Sequence, residues 1–599
     1  MKARAVVALL LFTTLVAIAY QIRTAQRPTE LRSLTAYVPQ DALLTIESPD
    51  FASLLHKWTS SAESKAWLTS DNYSVFQNSR LFGRLSDAQN SFAKAAGIPT
   101  GVDLLNGVAG KESVFAWYDI GKLEFLYITR MPAAQADQSQ LFKARGSFQR
   151  RHAGNADFYI RTSGADYSTV AFAQVSAPSG DLIVLATRED LIANALKLIA
   201  ATSLANSIRQ EPWFRDASAA LPAEKPAPVL HMVLNLDRIA VDPHFRSYWI
   251  QRNITWTYQF RAAASDLYVE PTRFREERVL LPKSPESQPS TSLNIASLAA
   301  LVPPSTGVFR VIATQNPSIA VTAIQEKLLG SYTAPTTDRE YAPDPSLEAP
   351  QSGSTSDLET RIDTLPPAPS SASTDGLTHI FQTASIDAVL TLSTAQSPSE
   401  SNGLWVPIRS AVILHAANPW NPQTMALALQ QTLRGSLTAA NIGINFQPAD
   451  NAGSTIYALA GPRPVFFAIA STQAQGNLVL LADDQPLLLE LLHNLVANRP
   501  EKASASTTSI AFFNHSSQRT PYIRLTSLID GTNNQARDSR DTAATGFNGN
   551  AGISSAPAFF SHNIRSLSDT FAVLQSERIV ERTVGSNLRQ TVTYVWQTP

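Results

Sequence analysis

Residues 180–199 read GDLIVLATREDLIANALKLI, and residues 476–496 read GNLVLLADDQPLLLELLHNLV. At a fixed offset Gly180, Leu182, Leu185, Ala186, Leu191 and Leu196 fall on Gly476, Leu478, Leu481, Ala482, Leu487 and Leu492. Each stretch changes period halfway. In the first, VAFAQV, the loop SAPSG and DLIVLA suit a β-hairpin, after which Leu191, Ile192, Ala195, Leu196 and Ile199 share a helix face. In the second, VFFAIA, STQAQG and NLVLLA form the same hairpin, and Leu487, Leu488, Leu491, Leu492 and Leu495 form the face. Thr187 is placed to cap the first helix, with Asp190 completing a capping box, and Asp483 takes the cap position of the second.

Working outward, the neighbouring elements repeat in the same order. SVFAWYD, LEFLYITRM, a helix containing LFKARGSF and the strand DFYIRT precede the first hairpin. SAVILHAA, a helix MALALQQTLRG and the strand TIYALAG precede the second. The opening YVPQDALLTIESPDFASLLHKW has an echo in LVPPSTGVFRVIATQNPSIAVTAIQEKLLG, from Leu301. SDLYVEPTRFREERVLLP, from Ser265, pairs with SDTFAVLQSERIVERTVG, from Ser568. The expectation is an α+β chain with two related copies of a domain, each a largely antiparallel sheet with packed helices, after an N-terminal hydrophobic helix. The copies span 36–283 and 296–598, with 1–35 as leader and 284–295 as linker. A length of 599 residues, far beyond what one core serves, agrees with two domains. The segments 333–376 and 531–557 are rich in Pro, Ser, Thr, Asn and Gly and poor in large apolar residues. Such stretches bury too little surface to offset their ordering entropy, so both are expected to be disordered insertions.

Charged residues make up 16% of the chain and the formal net charge is −1, which leaves no broad field to collect a polyanion, so no nucleic acid is expected as a partner. The absence of cysteine excludes disulfides, thiolate nucleophiles and thiolate metal sites. Behind Lys2 and Arg4, residues 5–20 are an unbroken apolar run, extended through Ile22. This is an export signal or signal anchor, with the cytoplasmic membrane as partner through residues 5–22 and the bulk of the chain in the periplasm or another extracytoplasmic space. Ala17 and Ala19 would suit signal peptidase, and cleavage would make the protein secreted.

The chemistry-bearing motifs are incomplete. Ser91-Phe92-Ala93-Lys94 fits S-x-x-K and Ser70-Asp71-Asn72 fits S-D-N, but their order is reversed and K-T-G is absent. Ser91 and Lys94 lie one turn apart on what reads as a solvated helix face. The nine histidines, at 56, 152, 231, 244, 379, 415, 493, 515 and 562, show no metal-ligand spacing, and no nucleophile elbow, zinc helix or phosphate loop occurs. Lys143, Arg145, Arg150, Arg151 and His152 form a local basic cluster suited to headgroups or an anionic polymer, or to a solvated face. Ile254, Trp256, Tyr258 and Phe260 alternate along a stretch that reads as a core strand. No catalytic, cofactor or metal residue is assigned, and no cofactor is expected.

With the anchor, the YVPQDALLTIESPDFASLL opening and the repeated units, the chain resembles an uncharacterised bacterial family of exported, N-terminally anchored proteins, chiefly over residues 36–280. The resemblance implies an extracytoplasmic α+β protein without assigned chemistry. Three functions follow as expectations: a non-catalytic binding or structural envelope protein with an envelope protein as partner, a carrier or sensor of an apolar ligand held between the halves, and an envelope hydrolase with a dispersed active site.

Overall fold

The structure is a computed structural model that describes residues 32–596, apart from 243–256, 285–294, 330–374, 396–407, 438–445, 498–506, 520–573 and a few shorter gaps. It is mixed α and β, with extensive antiparallel sheet, and the chain divides into two compact units whose main boundary in sequence falls after Ser284, the short segments 69–73 and 270–277 being grouped with the second unit. The apolar run at 5–22 and the insertion 531–557 lie outside the described residues. So does most of 333–376, whose last two residues, Asp375 and Gly376, begin a helix. Among the described residues no helix is long and apolar enough to cross a membrane.

In the first unit the strands are β1 (Leu44–Ser48), β2 (Ser113–Asp119), β3 (Glu124–Arg130), β4 (Gln149–Ala153), β5 (Ala156–Thr162), β6 (Thr169–Ala177), β7 (Gly180–Ala186), β8 (Leu230–Asn235), β9 (Phe260–Glu270) and β10 (Arg273–Pro282). They pair in the order β4-β5-β6-β7-β3-β2-β1-β8-β9-β10. Helices α1 (Phe51–Ser60), α2 (Arg80–Ala96) and α3 (Glu189–Ala200) accompany this sheet. One face carries Val114, Leu126, Ile128, Phe158, Leu182 and Val184 beneath Leu191, Ile192, Ala195 and Leu196 of α3. The other carries Tyr127, Phe172, Ile183 and Leu185 against Leu141, Phe142 and Phe148. With both faces covered, β7 is buried from Leu182 to Ala186, which explains why DLIVLA is a run of apolar residues rather than an alternation.

The second unit has β11 (Val308–Ala313), β12 (Ile386–Ala395), β13 (Ile408–Ala416), β14 (Gln447–Asn451), β15 (Ser454–Leu459), β16 (Val465–Thr472), β17 (Gly476–Ala482), β18 (Thr507–Asn514), β19 (Leu574–Val584) and β20 (Asn587–Trp596). They pair in the order β14-β15-β16-β17-β13-β12-β11-β18-β19-β20. Helices α4 (Pro317–Ile324), α5 (Asp375–Ala384) and α6 (Pro422–Leu437) supply Ile324, Phe381 and Met425 to one face, over Val412, Phe467, Val479 and Leu481. The other face packs Leu390, Ile413, Ile456, Leu478 and Leu480 under Leu487, Leu488, Leu491 and Leu492 of α7 (Gln485–Ala497). Each fully buried Leu, Ile or Phe here contributes about 1.5–3 kcal/mol relative to exposure.

Three local expectations are corrected. Thr187 does not cap α3, whose N-cap is Arg188 without a side-chain bond. The Thr187 hydroxyl instead accepts from the Phe125 N–H at 2.8 Å, holding the start of β3, and Asp190 pairs with Arg188. In the second unit Asp483 accepts from the Ser410 N–H at 2.7 Å, and the cap of α7 is Asp484, which accepts from Leu487 N–H at 3.0 Å. Of the alternating stretch 254–260, Thr257 is helical, Tyr258 and Gln259 form a turn, and β9 starts only at Phe260, while Ile254 and Trp256 lie outside the described residues. Finally, the register sets Asp266 opposite His231 and Val580 opposite Ile510. Ser568, the sequence counterpart of Ser265, lies outside the described residues.

Candidate functional site

The hydrogen-bond register of the first sheet assembles what linear sequence keeps apart. Glu47 of β1 lies opposite His231 of β8, and His231 opposite Asp266 of β9. Directly opposed residues share a face, here the one covered by the turn of 3₁₀ helix at Leu34–Tyr37. His231 Nδ1 is 2.6 Å from Asp266 Oδ1, and Asp266 is only 6% exposed. From above, Ser33 Oγ donates to Glu47 Oε2 at 3.2 Å and lies 2.7 Å from Thr35 Oγ1. Arg130, whose guanidinium pairs with Glu112, also donates from Nη2 to the Arg32 carbonyl at 2.6 Å.

Burial pushes the Glu47 carboxyl above its usual range, and the neighbouring Glu112 adds to this against the opposing pull of His231, Thr35 and Ser33. Burial alone would lower His231, but its hydrogen bond to Asp266 and the charges of Glu47 and Asp266 outweigh that, so its net shift is upward. The row is thus two acids around an imidazole that favours its proton.

The second sheet has apolar residues in the same row. There Val311 of β11 lies opposite Ile510 of β18, and Ile510 opposite Val580 of β19. Val311 and Ile510 are fully buried in their core. One column over, Glu112–Arg130 of the first unit has a related acid–base pair in the second, where Asp387, at a bulge of β12, holds His415 of β13 through Nδ1. Arg130 stands opposite Leu182, and His415 opposite Leu478.

The sequence candidates do not converge on this row. Ser91 and exposed Lys94 sit on α2, and the Ser91 carbonyl accepts from Ser168 Oγ at 3.1 Å. Ser70 accepts from the Tyr73 N–H at 3.1 Å, while Asp71 and Asn72 are outside the described residues. The basic cluster is largely neutralised: Arg145 pairs with Asp137, Arg150 and His152 with Asp157, and Arg151 with Glu189, while Lys143 is exposed. Asp483 is pushed up to about 6, by burial first and then by its neighbour Asp484, against the Ser410 N–H and Arg409. A depression of about 140 Å³ lined by Pro99–Leu104 and Gln140 is smaller than the few hundred Å³ a drug-sized ligand fills. Among the described residues no group of three or more His, Asp or Glu side chains is arranged to hold a metal.

No protein-family model matches the chain, and no curated protein matches it. Among solved structures it is similar to one described as crystal form I of TP0453, at 12% identity over 43% of this chain and 81% of that one, with a TM-score of 0.22. A superposition that slight carries no argument about function.

Proposed function

We propose that the chain is a non-catalytic binding or structural protein of the cell envelope, built from two copies of one α+β domain and carried outside the cytoplasmic membrane by residues 5–22. The observation that supports this reading is the common wiring of the two sheets. Strand order agrees from β4 to β10 and from β14 to β20, Leu126–Arg130 on β3 and Ala411–His415 on β13 meet β7 and β17 in the same register, and Leu191 and Leu487 cover equivalent faces. What is common to the units is frame and core. The row Glu47–His231–Asp266 is not, since the second unit has Val311–Ile510–Val580 there. A scaffold retained while its ionisable row is exchanged for apolar residues fits a protein that presents surfaces better than one that turns over a substrate.

Two experiments test the reading separately. A periplasm-active reporter fused after residue 40 should function, and a fusion active only in the cytoplasm would refute export. Purified protein should show no stoichiometric labelling by broad serine-reactive probes and no turnover of peptidoglycan, ester or glycoside substrates, with or without a chelator. Turnover abolished by one substitution that leaves the fold intact would replace the proposal with an envelope hydrolase.

A further inference from the structure

The second unit shows that this fold is built readily with an apolar row where the first has Glu47, His231 and Asp266. Packed apolar residues in place of a buried ion pair are often neutral or stabilising, so the row needs a reason beyond holding the sheet together. Its surroundings supply one. Among the described residues, the uncharged polar side chains bonded to Glu47 belong to the entering segment, through Ser33 and Thr35. That segment is also held by the core, in which Leu34, Ala36, Tyr37 and Val38 are buried, and from the far side, where Ser207 Oγ donates to the Thr35 carbonyl at 3.1 Å, the Ile208 N–H to the Val38 carbonyl at 2.9 Å and Arg130 to the Arg32 carbonyl.

We propose that Glu47, His231 and Asp266 form a proton-operated latch that fastens the segment 32–38 to the first sheet in mild acid and releases it as pH rises. The groups that face the latch are Asp266 from β9 and Glu47 from β1 on either side of His231, and Glu112, from the residues before β2, beside Glu47, itself paired with Arg130 of β3. With His231 protonated, a cation lies between the two acids and offsets one of their negative charges. Loss of that proton leaves Glu47 and Asp266 as two anions flanking a neutral ring in a largely buried site. Glu47 then gains by moving to water, which breaks its bonds to the entering segment. The sign follows from linkage. His231 and Glu47 both bind protons more tightly in the folded arrangement, so their stabilising contributions are complete below their ordinary values and are lost as pH rises through the raised ones. The inference concerns residues within the first unit and stands whether or not the chain is anchored in a membrane.

Hydrogen–deuterium exchange of the full chain, read by mass spectrometry at pH 5.5 and pH 8.5 and corrected for intrinsic exchange, tests the latch. Amides 33–38 should lose protection at the higher pH by roughly tenfold for each unit by which the folded His231 exceeds its ordinary value, while amides of β6 and β7 hold theirs. The triple substitution Glu47→Val, His231→Ile, Asp266→Val rebuilds the row found in the second unit and should abolish the pH dependence. His231→Gln, which keeps a hydrogen-bonding side chain without the titration, should abolish it too and decides the matter if the triple variant fails to fold. Unchanged protection of 33–38 in the wild type overturns the proposal. So does the same loss in His231→Gln, or a loss that β6 and β7 share in step.

Discussion

At the residue scale the two hairpin glycines differ in what they forbid. Gly180 has φ +104° with open space where a Cβ would stand, whereas Gly476 has φ +71° and a Cβ there would collide with the ring of His415. Gly180→Ala should therefore cost about 1 kcal/mol from backbone strain alone, and Gly476→Ala about 2–3 kcal/mol, measured by denaturant unfolding. Asp483 offers a second test, because Thr187 does the same work in the first unit without a charge. Since Asp483 is raised to about 6, its favourable contribution is present below its ordinary value and lost as pH rises through about 6. Asp483→Thr should stabilise the protein by about 1–2 kcal/mol at pH 8, allowing for solvent screening, and by much less at pH 4. Thermal unfolding at the two pH values checks this. Sequence marks positions 187 and 483 correctly as needing a small oxygen acceptor but names the wrong donor, because a helix N-terminus and a strand start lie side by side there. Glu47, His231 and Asp266 give no linear signal at all. Each is one polar residue in a β-pattern, and only the strand register brings them together.

At the scale of elements, the hairpin and helix are legible because the period of apolar residues changes from 2 to 3.6 at a polar break, as at Ala186–Leu191. The aromatic alternation at 254–260 misleads for the converse reason: alternation records amphipathic side chains, and Tyr258 satisfies it from a turn, with Lys283 Nζ 5.7 Å from its ring centre. The end strand β4 shows a different use of charge. Its Gln149, Arg150, Arg151 and His152 are all exposed, and charge on an edge discourages pairing with another chain. Replacing Arg150 and Arg151 together by Val should leave the monomer folded but raise its tendency to associate, seen as a concentration-dependent rise in mass by light scattering. A variant that stays monomeric at the highest soluble concentration would show that the ion pairs to Asp157 and Glu189 matter only locally.

Across the whole molecule, the proposed repeat is legible at 180–199 and 476–496 because the cores covered by α3 and α7 demand the same apolar positions. It fades toward β9 and β19, where register, not residue identity, carries the correspondence. Equivalent places imply equivalent costs. Leu191→Ala and Leu487→Ala should each destabilise by about 2–5 kcal/mol, and by amounts within about 1 kcal/mol of each other. Exchange protection should fall first in β6–β7 for the one and in β16–β17 for the other. A surface-like cost for either would break the equivalence on which the duplicated reading rests.

The turn between β2 and β3 runs only from Asp119 to Glu124 and is tied by the Lys122 N–H to Asp119 Oδ1 at 2.7 Å, whereas the corresponding connection of the second unit runs from Ala395 to Ile408. The second unit therefore identifies a splice point in the first. An epitope or fluorophore-binding peptide of about a dozen residues inserted after Gly121 would meet only the slow, logarithmic cost of a longer loop, and would give the protein a handle for imaging without disturbing either packed face.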